Sequence, residues 1–204
     1  MTGSFICVNR SVWTRLASGS GLDWEGQYPM ILRKIVLALV AAMAFSAPVA
    51  ARQSEVLFSH KQWQVELVAW DDGGLGCVAQ VSSPGESFSV WTFQDGSVQL
   101  QFYSTAWDFG EGDTADLQVQ IDRKPNWNLT NADLYRNSVL FNLPDSDAGV
   151  EFLLEVAKGS RLYLRTADGG NVQNYSLSGS RASIDALIEC GKVITQQNPD
   201  NPFK

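Results

Sequence analysis

The sequence predicts a mainly β protein, an antiparallel β-sandwich or flattened barrel with two short helices. Three observations predict it. Between Trp63 and Tyr103 four short runs of alternating or apolar residues are separated by turn signals, at the roughly ten-residue spacing of a meander. Beyond Asp145 the apolar residues of two segments shift to spacings of three and four, the period of a helix face. Cys77 and Cys190 lie at the two ends of this pattern, where one bond would tie an early strand to the last helix.

Taken in order, Trp63-Gln64-Val65-Glu66-Leu67-Val68-Ala69 alternates as a half-buried strand does, and His60 stands just before it. Asp71-Asp72-Gly73-Gly74 is a turn, Cys77–Ser82 the returning strand and Ser83–Glu86 the next turn. Phe88–Phe93 is a third strand, with Trp91 placed in the core, and Asp95-Gly96 gives a tight hairpin into Val98–Tyr103. Residues 105–113 read as a Gly- and acid-containing loop. Ala115–Asp122 alternates cleanly, Arg123–Asn126 turns, and Ser138–Leu143 is a further strand. A helix capped by Asp145 or Ser146 runs to Lys158, with Val150, Leu153, Leu154 and Ala157 on one face and Gly159 as its stop. Leu162–Arg165 and Val172–Leu177 flank the hairpin signal Asp168-Gly169-Gly170. Ser180 is placed to cap a last helix bearing Ile184, Leu187, Ile188 and Cys190, and residues 195–204 read as a loose tail.

Ahead of this domain, residues 30–51 have the three parts of a secretory signal peptide. Arg33-Lys34 is basic, Ile35–Phe45 is uninterruptedly apolar, and Val49-Ala50-Ala51 places cleavage before Arg52. The apolar stretch is too short for a membrane span of about 20 residues, so none is expected after cleavage. Met30 is itself a possible initiator, and residues 1–29 read as an over-extended gene start. The expected domain is therefore 52–194, periplasmic or secreted. It holds an even number of cysteines, Cys77 and Cys190, which an oxidising compartment would join.

Residues 52–204 contain 20 acidic and 11 basic side chains. An acidic body argues against nucleic acid, since polyanions are held by Lys and Arg, and against anionic lipid. No catalytic set stands out. His60 has no nucleophile or orienting acid near it in sequence and no second His with which to build a zinc site. Asp108, Glu111, Asp113 and Asp116 offer carboxylates within nine residues, but their spacing departs from the EF-hand loop. Asp71–Gly76 is Gly-rich and lacks a P-loop Lys. No metal and no cofactor is expected.

Two pieces of the domain resemble small exported envelope proteins of Gram-negative bacteria, the invasion-associated locus B family and the periplasmic accessory proteins of type VI secretion. One is the pair Trp63-Gln64-Val65 and Cys77-Val78-Ala79. The other is Tyr175–Ser180 followed by Ala182, Ile184, Leu187 and Cys190. The resemblance implies a β-sandwich in the cell envelope, with an undefined or adhesion-related role and no enzymatic activity. The expected function is accordingly a non-enzymatic protein binding another protein or an envelope component. Exposed aromatics and flanking acids supply the expected binding surface: Trp107, Asp108, Glu111, Asp113 and Trp127. The alternatives are a lysozyme-inhibitor-like protein presenting the acidic segment 108–113 to a basic enzyme, a small hydrolase, or an assembly component with a large apolar patch.

Overall fold

Ten strands and two helices follow one another along the chain in the computed structural model, which describes residues 53–196. The strands are β1 (Gln53–His60), β2 (Trp63–Ala69), β3 (Leu75–Ser83), β4 (Glu86–Phe93), β5 (Val98–Ser104), β6 (Phe109–Ile121), β7 (Trp127–Arg136), β8 (Ser138–Asn142), β9 (Arg161–Thr166) and β10 (Asn171–Ser176). Helix α1 (Asp147–Lys158) joins β8 to β9, and α2 (Ser180–Gln196) follows β10. The leader, its cleavage point, the extension 1–29 and residues 197–204 lie outside the described residues.

All ten strands form one antiparallel sheet in the order β1-β2-β3-β4-β5-β8-β7-β6-β9-β10. The first five are a plain meander. The chain then skips two places, and β6, β7 and β8 return in reverse so that β8 pairs with β5. A single residue, Asn137, links β7 to β8. Its carbonyl accepts from the Ser104 amide (3.0 Å), and its side-chain amide donates to the Trp107 carbonyl. These bonds pin the β5–β6 crossing to the β7–β8 turn.

The sheet curls without closing. Tyr175 of β10 packs on Phe88 of β4 and Phe102 of β5, at ring-centroid distances of 5.8 and 6.1 Å, although five and four strands, respectively, lie between them in the sheet. The Trp63 indole meets Phe88 edge-on and donates to the Ser176 carbonyl (3.2 Å), which ties β2 to the end of β10. Trp63, Phe88, Phe102, Leu100, Ile121, Leu129, Leu162 and Leu164 are fully buried between the facing halves. Each comes from one parity of its strand, as a two-residue period requires. This is the expected sandwich or flattened barrel.

Helix α2 packs on the inner side of β2–β4. The Cys77–Cys190 disulfide anchors it to β3 with a Cα separation of 6.1 Å. Ser180 does not cap α2 with its side chain. Its hydroxyl donates to the Val156 carbonyl instead and joins the two helices. Helix α1 begins after Ser146 as expected, and Leu153 and Ala157 of the expected face pack against the core, but the fully buried stripe is shifted by one position. Gly149, Phe152 and Val156 point inward, whereas Val150 and Leu154 are 58% and 49% exposed. The 149/152/156 stripe also has helical spacing, and it wins because Phe152 supplies the larger apolar area and meets the Trp127 ring edge-on at 5.5 Å. Ile188 of α2 is exposed for a similar reason, since Ile184, Leu187 and Cys190 already face the sheet. Gly159 ends α1 through close packing rather than a left-handed turn. Its φ is −76°, and an added Cβ would sit 2.6 Å from Ile121 and 2.8 Å from Leu177.

Two strands were not expected. β1 shows no alternation because it is an edge strand, exposed along most of its length and bulged at Leu57, so His60 ends a strand rather than preceding the first. β7 is rich in Asn and Asp, which strands disfavour. Asn131 there has φ +56°, and its amide donates to the Asp116 carboxylate (2.8 Å). The segment 109–113, expected as loop, is the start of β6. Register shifts between Phe109 and Asp113 bulge it, and Gly112 with φ +91° fits such a distortion.

Candidate functional site

The five surface residues proposed from sequence fall into two groups at opposite ends of one hairpin. Phe109 faces Arg136 in the β6–β7 register and Val119 faces Trp127. Ten residues of β6, roughly 30 Å at about 3.3 Å each, thus separate the neighbourhoods of Trp107 and Trp127. Trp107 is half-buried against Phe109, 5.5 Å between ring centroids. Asp108, Glu111 and Asp113 are exposed beside it, with Glu111 3.8 Å from the Arg136 guanidinium. Trp127 serves packing. Its ring lies against Phe152, and its Nε1 donates to Glu155 (3.0 Å), which also meets Lys124 at 3.0 Å.

A different surface is built more thoroughly. The positions of β2–β5 and β8 that point away from the core can be read across the ladder. One row runs Glu66, Val78, Trp91, Gln99, Asn142; the next runs Gln64, Gln80, Ser89, Gln101, Leu140; a third runs Ser82, Ser87, Tyr103, Ser138. Val68, Gly76 and Phe93 form a fourth row at the end nearest Trp70.

At that end an apolar cluster lies outside the main core. Val68, Val78 and Trp91 are buried there under Trp70 and Phe93. The three rings form a triangle with centroids 6.1–6.2 Å apart, and the planes of Trp91 and Phe93 differ by 6°. Gly76 makes the cluster possible, since a Cβ there would come within 2.7 Å of the Trp70 indole. Trp70 and Phe93 stay half-exposed.

Beside the rings, amides hold one another in place. The Trp91 Nε1 donates to Oε1 of Gln101 (2.9 Å), whose Nε2 donates to the Ser138 hydroxyl (2.9 Å). Gln99 donates to Oδ1 of Asn142 (3.0 Å). Gln80 and Ser54 both donate to the Glu66 carboxylate, at 2.9 and 2.7 Å. A primary amide offers two donors and two acceptor positions, so Gln80, Gln99 and Asn142 keep capacity that these bonds do not use. Across these rows there is no Lys or Arg, and Glu66 is the one charged side chain.

Shifted titrations occur elsewhere and have local structural causes. The Ser97 hydroxyl and amide hold Asp95 below the usual carboxylate range, and the Thr166 hydroxyl and Gly170 amide do the same for Asp168. Both are hairpin-turn residues. Burial, with a smaller push from Glu86, drives the Tyr175 phenol upward. Among the described residues no group of three or more His, Cys, Asp or Glu is placed to hold a metal ion.

Surface pockets also occur among the described residues. One of about 360 Å³ is lined by His60, Lys61, Gly179, Arg181, Ala182 and Asp185. Two others, of about 150 and 230 Å³, adjoin between α1, α2 and the β4–β5 turn and share Gly96, Val98 and Leu153. No helix among the described residues is long and apolar enough to cross a membrane.

No protein-family model matches the chain, and no curated protein or solved structure is significantly similar to it.

The sequence did carry a signal for the outer face. Val90-Trp91-Thr92-Phe93 is apolar at both parities near its start, which marks a strand with something to bury on each side. Gln64, Glu66, Gln80, Gln99 and Gln101 occupy the polar parity of their strands. What the sequence does not display is the register that sets these residues side by side.

Proposed function

We propose that this chain is exported, loses its leader, and acts outside the cytoplasm as a non-catalytic binding protein whose contact surface is the outer face of β2–β5 and β8. The observation that carries the reading is that face itself. Its side chains are fixed by mutual hydrogen bonds, so little conformational freedom is lost when a ligand is added. Its partly exposed aromatics supply apolar contact. The leader pattern, the Cys77–Cys190 bond and the resemblance to locus B proteins favour the bacterial envelope as its place of work.

The test is retention on a fractionated bacterial envelope. Purified protein is mixed with washed envelope, sedimented and quantified beside Trp70→Ala and Asn142→Ala. Retention that falls at least several-fold in these variants, with Trp107→Ala unchanged, supports the reading. Equal retention of all four proteins, or none of the wild type, counts against it.

A further inference from the structure

The composition of the outer face narrows its ligand. A nucleic acid, a phosphate-bearing lipid or an acidic polysaccharide would be met by Lys or Arg, and these rows hold neither. A cationic ligand would be met by clustered carboxylates. The one carboxylate here, Glu66, already accepts from Ser54 and Gln80. The rest of the chain is charged and acidic, so the uncharged character of this patch is local and selects for an uncharged partner.

What remains accessible is a surface of side-chain amides and a phenol beside aromatic rings: Gln80, Gln99, Asn142 and Tyr103 next to Trp70 and Phe93, with Trp91 and Ser138 buried beneath them. Amides and hydroxyls both donate and accept, as do the hydroxyls of a sugar. Aromatic rings have electron-rich faces that attract the polarised C–H groups of a pyranose. From β2 to β8 the face spans four strand spacings, about 19 Å at ~4.8 Å each. That is the footprint of several linked sugar units rather than of one.

We propose that the outer face of β2–β5 and β8 binds a neutral oligosaccharide chain, with Trp70 and Phe93 in apolar contact with the sugar rings and Gln99, Asn142 and Gln80 hydrogen-bonded to their hydroxyls. This deepens the preceding reading and rests on it. Trp91 and Gln101 act one layer down, since Trp91 is 9% exposed and its indole N–H fixes the Gln101 amide.

The experiment is titration of the purified protein with cellohexaose, chitohexaose, laminarihexaose and maltohexaose, followed by tryptophan fluorescence and calorimetry, with heparin as the anionic comparison. At least one neutral hexasaccharide is expected to bind and to change the fluorescence, and heparin is not. Trp70→Ala is expected to weaken binding roughly tenfold or more, the effect of removing an aromatic anchor. Asn142→Ala, at an exposed position, is expected to weaken it several-fold. If Trp70→Ala fails to fold by circular dichroism, Asn142→Ala and Gln99→Ala decide.

The absence of binding by all four hexasaccharides at millimolar concentration would overturn the proposal. So would tighter binding of heparin, or wild-type affinity in the folded variants. Envelope retention separates the two readings. If retention depends on Trp70 and Asn142 while every hexasaccharide fails, the glycan assignment falls and the outer face stands as the surface for another ligand. If retention also ignores both residues, the contact surface itself is misplaced.

Discussion

Removing the Cys77–Cys190 bond is the most quantitative perturbation the fold offers. The two half-cystines lie 113 residues apart, so the bond closes a loop that includes most of the domain. In the chain-entropy picture, freeing such a loop in the unfolded state costs the native state about 5 kcal/mol, and measured values for native disulfides run from about 2 to 5. Small domains have about 5–15 kcal/mol in total, so the reduced protein should be marginal. Cys77 is fully buried and Cys190 nearly so. A Cys77→Ala, Cys190→Ala double variant therefore adds a packing loss of about 1–2 kcal/mol that reduction alone does not. The assay is urea unfolding followed by circular dichroism, comparing the oxidised protein, the protein refolded under reductant and the double variant. The reduced form should lose about 3–5 kcal/mol, with a denaturant slope equal or steeper because its unfolded state is less compact. A loss below about 1 kcal/mol would refute the reasoning, since it would mean that the bond constrains no long loop or that helix α2 is held to β3 by packing alone.

Three further variants have expected outcomes. Gly159→Ala should destabilise by about 1–3 kcal/mol in the same unfolding assay, because the new methyl meets Ile121 and Leu177 inside van der Waals contact. Tyr175 has its phenol pKa raised in the folded state by burial. Up to pH about 10 both states keep the proton; above it the unfolded state releases it first, so stability falls as pH rises, and a pH series on Tyr175→Phe should lack that part of the slope. Tyr175→Phe should also cost about 1–2 kcal/mol at neutral pH, because the Tyr175 hydroxyl donates to the buried Gln173 side chain. Trp127→Phe should lower stability by about 1 kcal/mol or more through the lost bond to Glu155, yet leave envelope retention unchanged, as a packing role requires.

Much of this fold was legible because its signals are local. The meander β2–β5 alternates residue by residue, its turns carry Gly and Asp, and Cys77 and Cys190 are the two cysteines of the domain. The missed strands, β1 and β7, are those whose stability comes from neighbours. One is an exposed edge and the other an Asn- and Asp-rich partner of β6. The inward face of α1 lies one position from the one the sequence suggests because Val150 and Leu154 look apolar enough to be core, while the decisive contact of Phe152 with Trp127 is remote in sequence. The site followed the same division. Trp107 and Trp127 stand in turn-like contexts and read as surface. The face that unites Trp70, Trp91, Gln99, Gln101 and Asn142 exists only once β8 has returned to pair with β5, a register no short window displays.

The central claim is that the outer face of β2–β5 and β8 is where this protein meets its ligand, and hydrogen–deuterium exchange with and without washed bacterial envelope tests it most directly. The account predicts slowed exchange in peptides covering β4, β5 and β8, residues 86–104 and 138–142, with those covering Phe109–Arg136 unchanged. Protection confined to the β6–β7 hairpin around Trp107, Glu111 and Asp113, with β4 and β5 unaffected, would contradict it.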